Sequence, residues 1–265
     1  MRIIYFVLRL TNQRLSDMFQ KYIFVICIIS YIIMNVFQSC TDVKEDIDQE
    51  SFGYDYFPVA TGKTWTYMSD SVIIRSSGLR RDSLRSFIRE EIGERFKDAE
   101  GKDVYKIFRS YRKKETDPWQ NINTWTVQID QNRAIRTEEN LKFIKLIFPF
   151  SKGLRWDGNA FLDTDIKVQA GDETIQPYKN WKHRIEEIDA EITYKGQKTK
   201  ALKINLVADT SIIDLRNVSE YYVKGIGMTR KEMTIFDTDN SQPTAPWSVK
   251  AKKGFTHTLT LIDFR

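Results

Sequence analysis

The chain has 265 residues, which is enough for one domain with a sizeable core or for two small ones. It carries 41 basic and 36 acidic residues, and the two signs are interspersed along the body of the chain, which excludes the concentrated basic face of a nucleic-acid-binding protein. Cysteine occurs only at Cys27 and Cys40, so the remainder of the chain can form neither a disulfide framework nor a thiolate metal site.

The N-terminal segment has the features of a secretory signal. From Met18 onward, one basic residue, Lys21, precedes an apolar stretch that covers residues 22–36. Such a stretch is typical of a signal-peptide core and is short for a membrane-spanning helix, which needs about 20 residues. We therefore predict that residues 1–39 are a helical signal peptide, with Met18 as an alternative start, and that the rest of the chain is exported.

The residues around Cys40 resemble a bacterial lipoprotein signal. Ser39 is the small residue directly before the cysteine, whereas Phe37 stands where Leu is usual. The resemblance implies that the leader is cut before Cys40 and that lipid, including palmitate, is attached to its sulfur. An uncleaved anchor helix or an ordinary secretory signal are the alternatives, and both also place the domain outside the inner membrane.

An acidic run follows the cysteine. Residues 44–46 read Lys-Glu-Asp, with further acids around them, and resemble the export tag of surface lipoproteins of the Bacteroidota type. Residues 40–53 show no apolar period and are predicted to be a lipidated acidic tether. The resemblance implies a protein anchored by lipid in the outer membrane, at the cell surface or otherwise facing the periplasm.

The body, residues 54–265, is predicted to be one mainly β domain. Its apolar residues alternate with polar ones in many short segments that turn residues separate. The predicted strands are 65–74, 84–96, 105–111, 123–131, 134–137, 142–148, 181–188, 191–194, 199–207, 219–224, 228–236 and 255–264. Residues 84–96 also fit a helical face, but Gly93 would cost a helix about 1 kcal/mol, so a strand is preferred.

The turns between these strands are short. Residues 98–103, 130–133, 194–197 and 224–227 all read as tight connections, and several of them contain glycine. Short strands joined in succession by such turns predict a single antiparallel meander that curls into a barrel or half-barrel.

Three segments of the body resemble exported lipoproteins of the Bacteroidota type. They read FPVATGKTWTY near the start, KLIFPFSKGLRWDGN in the middle and YYVKGIGMTRKEM near the end. The resemblance implies a lipocalin-like or LolA-like curved sheet that binds something apolar or another protein.

No recognisable catalytic motif is present. The body has two histidines, His183 and His257, and neither lies near a GxSxG or HExxH pattern, so we predict no catalytic residues and no cofactor. Glutamate doublets occur at 90–91, 138–139 and 186–187, but neighbours in a strand point to opposite faces. Acids from different strands would have to converge to form a hydrolase, which is one alternative function.

Tryptophan is the best candidate for ligand contact, because its large rigid face stacks on sugars or lines apolar pockets. Most tryptophans fit core or cross-strand positions. Trp119 and Trp247 each follow a proline in a turn-like segment and are expected to be exposed, and Trp156 lies beside a polar turn that contains Asn159. The candidate ligand-binding residues are therefore Trp156, Asn159, Trp119 and Trp247.

The same polar segment contains oxygen ligands of the kind that calcium prefers. Asp157, Asp163 and Asp165 are the candidates, but the EF-hand pattern is absent. A turn at 157–159, with Gly158 at positive φ, explains the segment more simply, so we predict no metal site.

These features together predict an exported, lipid-anchored, non-enzymatic binding or assembly lipoprotein of the cell envelope. Its expected partners are the membrane, through lipid on Cys40, and a small apolar ligand, a glycan or an envelope protein. The alternatives are a carbohydrate-binding accessory lipoprotein that uses exposed Trp and Tyr, and the hydrolase named above.

Overall fold

Fourteen β-strands make up most of the described chain. The structure is a computed structural model that describes residues 52–239 and 241–265, all within one unit formed by residues 48–265. The predicted signal peptide, Cys40 and the acidic run at 44–46 lie outside the described residues. The strands are β1 (Thr64–Arg75), β2 (Arg80–Lys97), β3 (Asp103–Arg112), β4 (Gln120–Asp130), β5 (Arg133–Glu138), β6 (Leu141–Ile147), β7 (Arg155–Trp156), β8 (Val168–Ala170), β9 (Glu173–Ile175), β10 (His183–Tyr194), β11 (Gln197–Thr210), β12 (Asp214–Val223), β13 (Gly227–Asp237) and β14 (Lys253–Phe264).

Helical structure is minor in the described ranges. One short helix, α1 (Trp247–Lys250), precedes β14, and single 3-10 turns lie at Tyr54–Tyr56 and Ser76–Gly78. Within residues 52–239 and 241–265, no helix has the length and apolar character needed to cross a membrane.

Twelve strands form one antiparallel sheet in the order β6-β5-β4-β3-β2-β1-β14-β13-β12-β11-β10-β7. The first meander runs from β1 to β6, and the second runs from β10 to β14. They are joined because β1 pairs with both β2 and β14. The two sheet edges meet where the Ile144 N–H donates to the Gly158 carbonyl at 2.9 Å and Trp156 Nε1 donates to the Ile144 carbonyl at 2.9 Å. The sheet is thus nearly closed, and the predicted antiparallel meander curled into a barrel is confirmed.

The predicted strands agree with the structure apart from one division. The predicted segments 181–188 and 191–194 correspond to the single strand β10, which begins two residues later than predicted, at His183. The pairing of β10 with β11 shifts on either side of Glu187. Asp189 there has a φ of +67°. An irregularity of this kind lets a strand continue through a bend. In the sequence, the bend interrupts the alternation of apolar and polar residues, so two strands were predicted. The short strands β7, β8 and β9 were not predicted, because two or three residues carry no measurable alternation.

The predicted turns form as expected. Lys195 and Gly196, with φ values of +48° and +78°, make the two-residue turn between β10 and β11. Gly225 and Gly227, at +74° and +93°, make the turn between β12 and β13, beside a register shift at Tyr221 and Tyr222. Gly93 lies within β2, as predicted, and a Cβ there would lie 2.3 Å from the ring of Phe108.

One end of the barrel is closed by aromatic side chains, here called the aromatic cap. Its members come from the segment before β1 and from the loop after β6, and they are Phe52, Tyr54, Tyr56, Phe57, Phe148 and Phe150. The ring centres of Tyr54 and Phe148 are 4.7 Å apart, and those of Tyr56 and Phe150 are 5.3 Å apart. Phe57 lies 6.1 Å from Tyr222 in β12, so the cap packs directly on the barrel interior.

The hairpin β8–β9 covers the opposite end of the strands of the second meander. It buries Ala170 and Ile175 in the core. Arg216 Nε donates to the Gln176 carbonyl at 3.1 Å, and Lys253 Nζ donates to the Thr174 carbonyl at 3.1 Å. The interior therefore lies between the aromatic cap and this hairpin.

Candidate functional site

Seven charged side chains lie inside the barrel and form what we call the ionic layer. They come from six strands: Glu90 (β2), Arg109 (β3), Arg136 and Glu138 (β5), Lys145 (β6), Glu220 (β12) and Lys231 (β13). Strand alternation turns them inward; Glu90, for example, is in register with the buried Trp65 on β1. Charged residues are rarely buried unless they are paired, so such a layer needs a specific explanation.

Glu90 is the first centre of the layer. Its Oε1 lies 3.1 Å from Arg109 Nε and its Oε2 lies 2.9 Å from Arg136 Nη2. The Arg109 guanidinium also lies 3.5 Å from the centre of the Trp125 ring. Both oxygens of a 5% exposed carboxylate are therefore satisfied by cations, one of which is fixed by stacking.

Glu220 is the second centre. Lys145 Nζ lies 2.6 Å and Lys231 Nζ lies 3.3 Å from its Oε1, and the Tyr222 hydroxyl donates to its Oε2 at 2.6 Å. Glu138 connects the two centres, because its Oε1 lies 3.2 Å from an Arg136 nitrogen and 4.0 Å from Lys145 Nζ. One continuous chain of ion pairs thus crosses the interior from β2 to β13.

Neighbouring cations keep Glu138 and Glu220 of the ionic layer negatively charged. Burial by itself would raise the pKa of Glu220, but Lys145 and Lys231 outweigh it and hold that pKa well below its usual range. The pKa of Glu138 is also lowered, since Lys145 and Arg136 oppose the effect of burial. A general acid needs a pKa raised toward the working pH, so these two carboxylates do not have the property that acid catalysis requires.

A small cavity lies between the ionic layer and the aromatic cap. Its volume is about 40 Å³, room for about three water molecules. The segment 57–59 covers it, and Glu90 and Arg136 lie among its lining residues. The other lining side chains are mostly apolar or aromatic: Trp65, Tyr67, Ile92, Ile107, Val127, Tyr222 and Met228.

The two histidines occupy different interior positions. His183 is 1% exposed and pairs across strands with Trp156. His257 Nε2 lies 3.0 Å from the hydroxyl of Ser69, a contact that was not predicted because it joins the first and last long strands. Burial, then Lys231, lowers the pKa of His257 to about 4, so the ring is neutral at pH 7. No carboxylate among the described residues hydrogen-bonds this ring.

The four predicted ligand residues lie in three separate places. Trp156 and Asn159 are at the seam between the sheet edges, where Trp156 is half-buried and Asn159 is 3% exposed with both amide atoms unpartnered among the described residues. Trp119 is half-buried on the outer face of the sheet. Trp247 is half-buried in α1, 6.5 Å from Phe236. The structure does not bring these residues together, and their role in binding stays a prediction.

The candidate metal ligands form turns. Asp157 Oδ1 accepts the N–H of Asn159 at 2.9 Å, and Asp163 Oδ1 accepts the N–H of Asp165 at 2.9 Å. In the part of the chain that the structure describes, no group of three or more His, Cys, Asp or Glu residues is placed to hold a metal ion. The expected positive φ at Gly158 is wrong; this position needs glycine because a Cβ would lie 2.2 Å from the His183 ring.

Solved structures that resemble this chain include two bacterial proteins. No known protein family and no curated protein matches the sequence. A protein of Bacteroides fragilis, predicted to be exported and with a YmcC-like fold, is similar with a TM-score of 0.41 at 10% identity. A predicted lipoprotein of Parabacteroides distasonis has a TM-score of 0.33 at 12% identity. Each match covers 79% of this chain and 98% of the other chain.

Proposed function

We propose that the protein is an exported, lipid-anchored, non-enzymatic binding lipoprotein of the cell envelope. Lipid on Cys40 holds it in the outer membrane, with the barrel at the cell surface or facing the periplasm. The support for this location is the apolar leader, the Ser39-Cys40 junction and the acidic run at 44–46.

The observation that carries the binding proposal is the cavity under the aromatic cap. Ligand sites in proteins are mostly apolar concavities with a few converging polar groups. Here apolar walls surround the cavity while Glu90 and Arg136 lie beside it, so the chemistry fits a small, largely apolar ligand with one polar group. The ligand replaces the few waters that the cavity can hold.

The cap provides the entrance. Residues 57–59 belong to no strand and lie over the cavity, whereas its walls are paired strands of the sheet. Displacing an unpaired segment breaks fewer backbone hydrogen bonds than opening the sheet does, so this segment is the lowest-cost route to the interior. This segment follows the predicted tether after the 3-10 turn at Tyr54–Tyr56.

The ionic layer supports binding rather than catalysis. The carboxylates from separate strands do converge, as the hydrolase alternative requires, but each of them is paired with at least two cations. Such pairing fixes a shape, and the lowered pKa values of Glu138 and Glu220 leave neither of these two groups suited to general acid catalysis.

Filling the cavity is expected to remove the ligand. Val59 lies at the edge of the cavity outside any strand, so Val59→Phe adds volume without disturbing strand pairing. We expect a small molecule to be extracted from purified wild-type protein in near-stoichiometric amount and to be at least tenfold depleted in Val59→Phe. The measurement is mass spectrometry of the denatured extract.

The matched control is Val249→Phe, which changes a 60% exposed valine of α1 and is expected to retain the molecule. Equal amounts of the molecule in Val59→Phe and in the wild type would contradict binding in this cavity.

A further inference from the structure

Two arginines share one tryptophan on the outer face of β2 and β3. The Arg112 guanidinium lies 4.3 Å from the Trp119 ring centre and 5.4 Å from that of Phe87, and the Arg89 guanidinium lies 4.9 Å from Trp119. Phe87 and Arg112 are register partners, so they belong to the same face of the sheet. We call Phe87, Arg89, Arg112 and Trp119 the arginine–tryptophan stack.

The guanidinium groups of the stack lack anions. Among the described residues, neither Arg89 nor Arg112 has a carboxylate within ion-pair distance, although Glu91 is only two residues from Arg89 along the same face. The Arg112 Nε atom is buried and has no hydrogen-bond partner in the part of the chain that the structure describes. By contrast, Arg85 of β2 is paired with Asp70 at 2.6 Å. Stacking holds a guanidinium by its face and leaves its N–H edge available to an anion.

Exposed apolar side chains lie on the same outer face. Phe108 of β3 is 42% exposed, and its register partner is Thr124 of β4. Ile122, two residues before Thr124 and at the register shift between β3 and β4, is 46% exposed. The exposed Lys113 and Lys114 directly follow Arg112. Cations and a tryptophan beside protruding apolar residues are the combination that lies at a membrane–water interface, where the apolar tips enter the lipid and the cations bind headgroup phosphates.

The start of the described chain contacts the strands of this face at the end opposite to the stack. The Tyr54 hydroxyl donates to the Gln131 carbonyl at 3.2 Å, in the turn that follows β4. The twelve peptide units from Cys40 to Phe52 reach at most about 40 Å. A lipid on Cys40 therefore leaves the barrel close enough to its membrane for the face formed by β2, β3 and β4 to lie on it.

We propose that this face docks on the anionic surface of the membrane in which the protein is anchored. Arg89 and Arg112 bind phosphate groups of the lipids, and Trp119, Phe108 and Ile122 lie at the interface. This inference rests on the proposed lipid anchor. It adds a second membrane contact, as lipid-modified proteins use when one anchor alone leaves the domain free to move.

The test measures the depth of one side chain in a lipid bilayer. The chain has no cysteine after Cys40, so a nitroxide on Ile122→Cys of the mature, acylated protein is unique. The protein is reconstituted on vesicles of phosphatidylethanolamine with phosphatidylglycerol, and on vesicles of phosphatidylcholine alone. On the anionic vesicles, we expect the nitroxide to collide with oxygen severalfold more often than with a water-soluble nickel chelate. On the neutral vesicles, we expect the nitroxide to collide more often with the chelate than with oxygen.

Matched variants test whether Arg89 and Arg112 are responsible for insertion of the label into the bilayer. The double variant R89Q/R112Q is expected to return the label to water on anionic vesicles. Arg155→Gln changes an exposed arginine of β7 that also lacks an ion-pair partner in the described ranges, and it is expected to leave the label in the bilayer. A label on Val249→Cys is expected to stay in water throughout.

Flotation with the vesicles separates the two proposals. Protein that floats with both kinds of vesicle while the Ile122→Cys label stays in water would overturn docking and retain the anchor. Protein that floats only with anionic vesicles, with the label inserted, would support docking and contradict the anchor. Failure to float with either kind would overturn both. A label in water together with alginate binding that R89Q/R112Q abolishes would assign the stack to acidic polysaccharide and overturn docking.

Discussion

Replacing Glu220 by Gln is expected to lower the free energy of unfolding by about 3–5 kcal/mol. Glu220 is 1% exposed and is the counter-ion of Lys145 and Lys231, which lie 2.6 and 3.3 Å from one of its oxygens. The amide would leave two buried ammonium groups without a full negative charge, and removing one partner of a buried pair costs far more than the intact pair contributes. Urea unfolding at neutral pH, followed by tryptophan fluorescence, measures the change.

Glu191→Gln is the matched control for this substitution. Glu191 is 3.1 Å from Lys198, and both side chains are largely exposed, at 71% and 82%. Solvent screens such a pair, so the expected change is below about 1 kcal/mol. Similar small effects of the two substitutions would show that the interior ions are hydrated and would contradict the buried ionic layer.

Acidification from pH 6.5 to 4.5 is expected to destabilise the protein by several kcal/mol. Burial, followed by the charge on Lys145, lowers the pKa of His183 to about 3, and burial, followed by Lys231, lowers that of His257 to about 4. In the unfolded chain both titrate near 6.5, so the unfolded state binds more protons in this window. The contribution of each neutral histidine to the free energy of unfolding is complete above pH 6.5 and is lost as the pH falls toward the folded pKa. Between pH 6.5 and 4.5, the loss is about 2 kcal/mol for each histidine.

The choice of pH window and one variant separate the effect of the histidines from that of the carboxylates. Glu138 and Glu220, whose pKa values are lowered, add stability that is present above the unfolded pKa of a glutamate, near 4.3, and is lost only below it. The window from pH 6.5 to 4.5 therefore reports mainly on the histidines. His257→Gln keeps a hydrogen-bonding group beside Ser69 and is expected to reduce the slope of unfolding free energy against pH by about half. An unchanged slope would contradict the assignment.

The strands could be predicted because their residues alternate and their turns carry glycine. The pairing of β1 with β14 could not, since it joins residues about 190 positions apart and no local pattern specifies it. The short strand β7 at the seam could not be predicted either, because it depends on the meeting of two sheet edges. Local residue patterns determine where strands and turns form, whereas closure of the sheet depends on the packing of the whole barrel.

A usable sign of the ionic layer was present in the sequence. Glu90 is in phase with Ile88 and Ile92, and Glu220 is in phase with Val218 and Tyr222, so each charge falls on an apolar strand face. The sequence pattern identifies Glu90 as one half of an acidic doublet and assigns no role to Glu220. Which cation meets which carboxylate could not be predicted, because the partners come from strands that are distant in the sequence.

Native mass spectrometry of the wild-type protein, gently extracted from its own membrane, tests both the anchor and the binding of a ligand. We predict a chain that begins at Cys40, carries acyl groups on that residue, and has a further reproducible mass that is lost on denaturation. Cys40→Ala should yield an uncleaved precursor without acyl groups. A wild-type chain with an unmodified Cys40, or an acylated chain that never carries additional mass, would contradict a lipid-anchored binding protein.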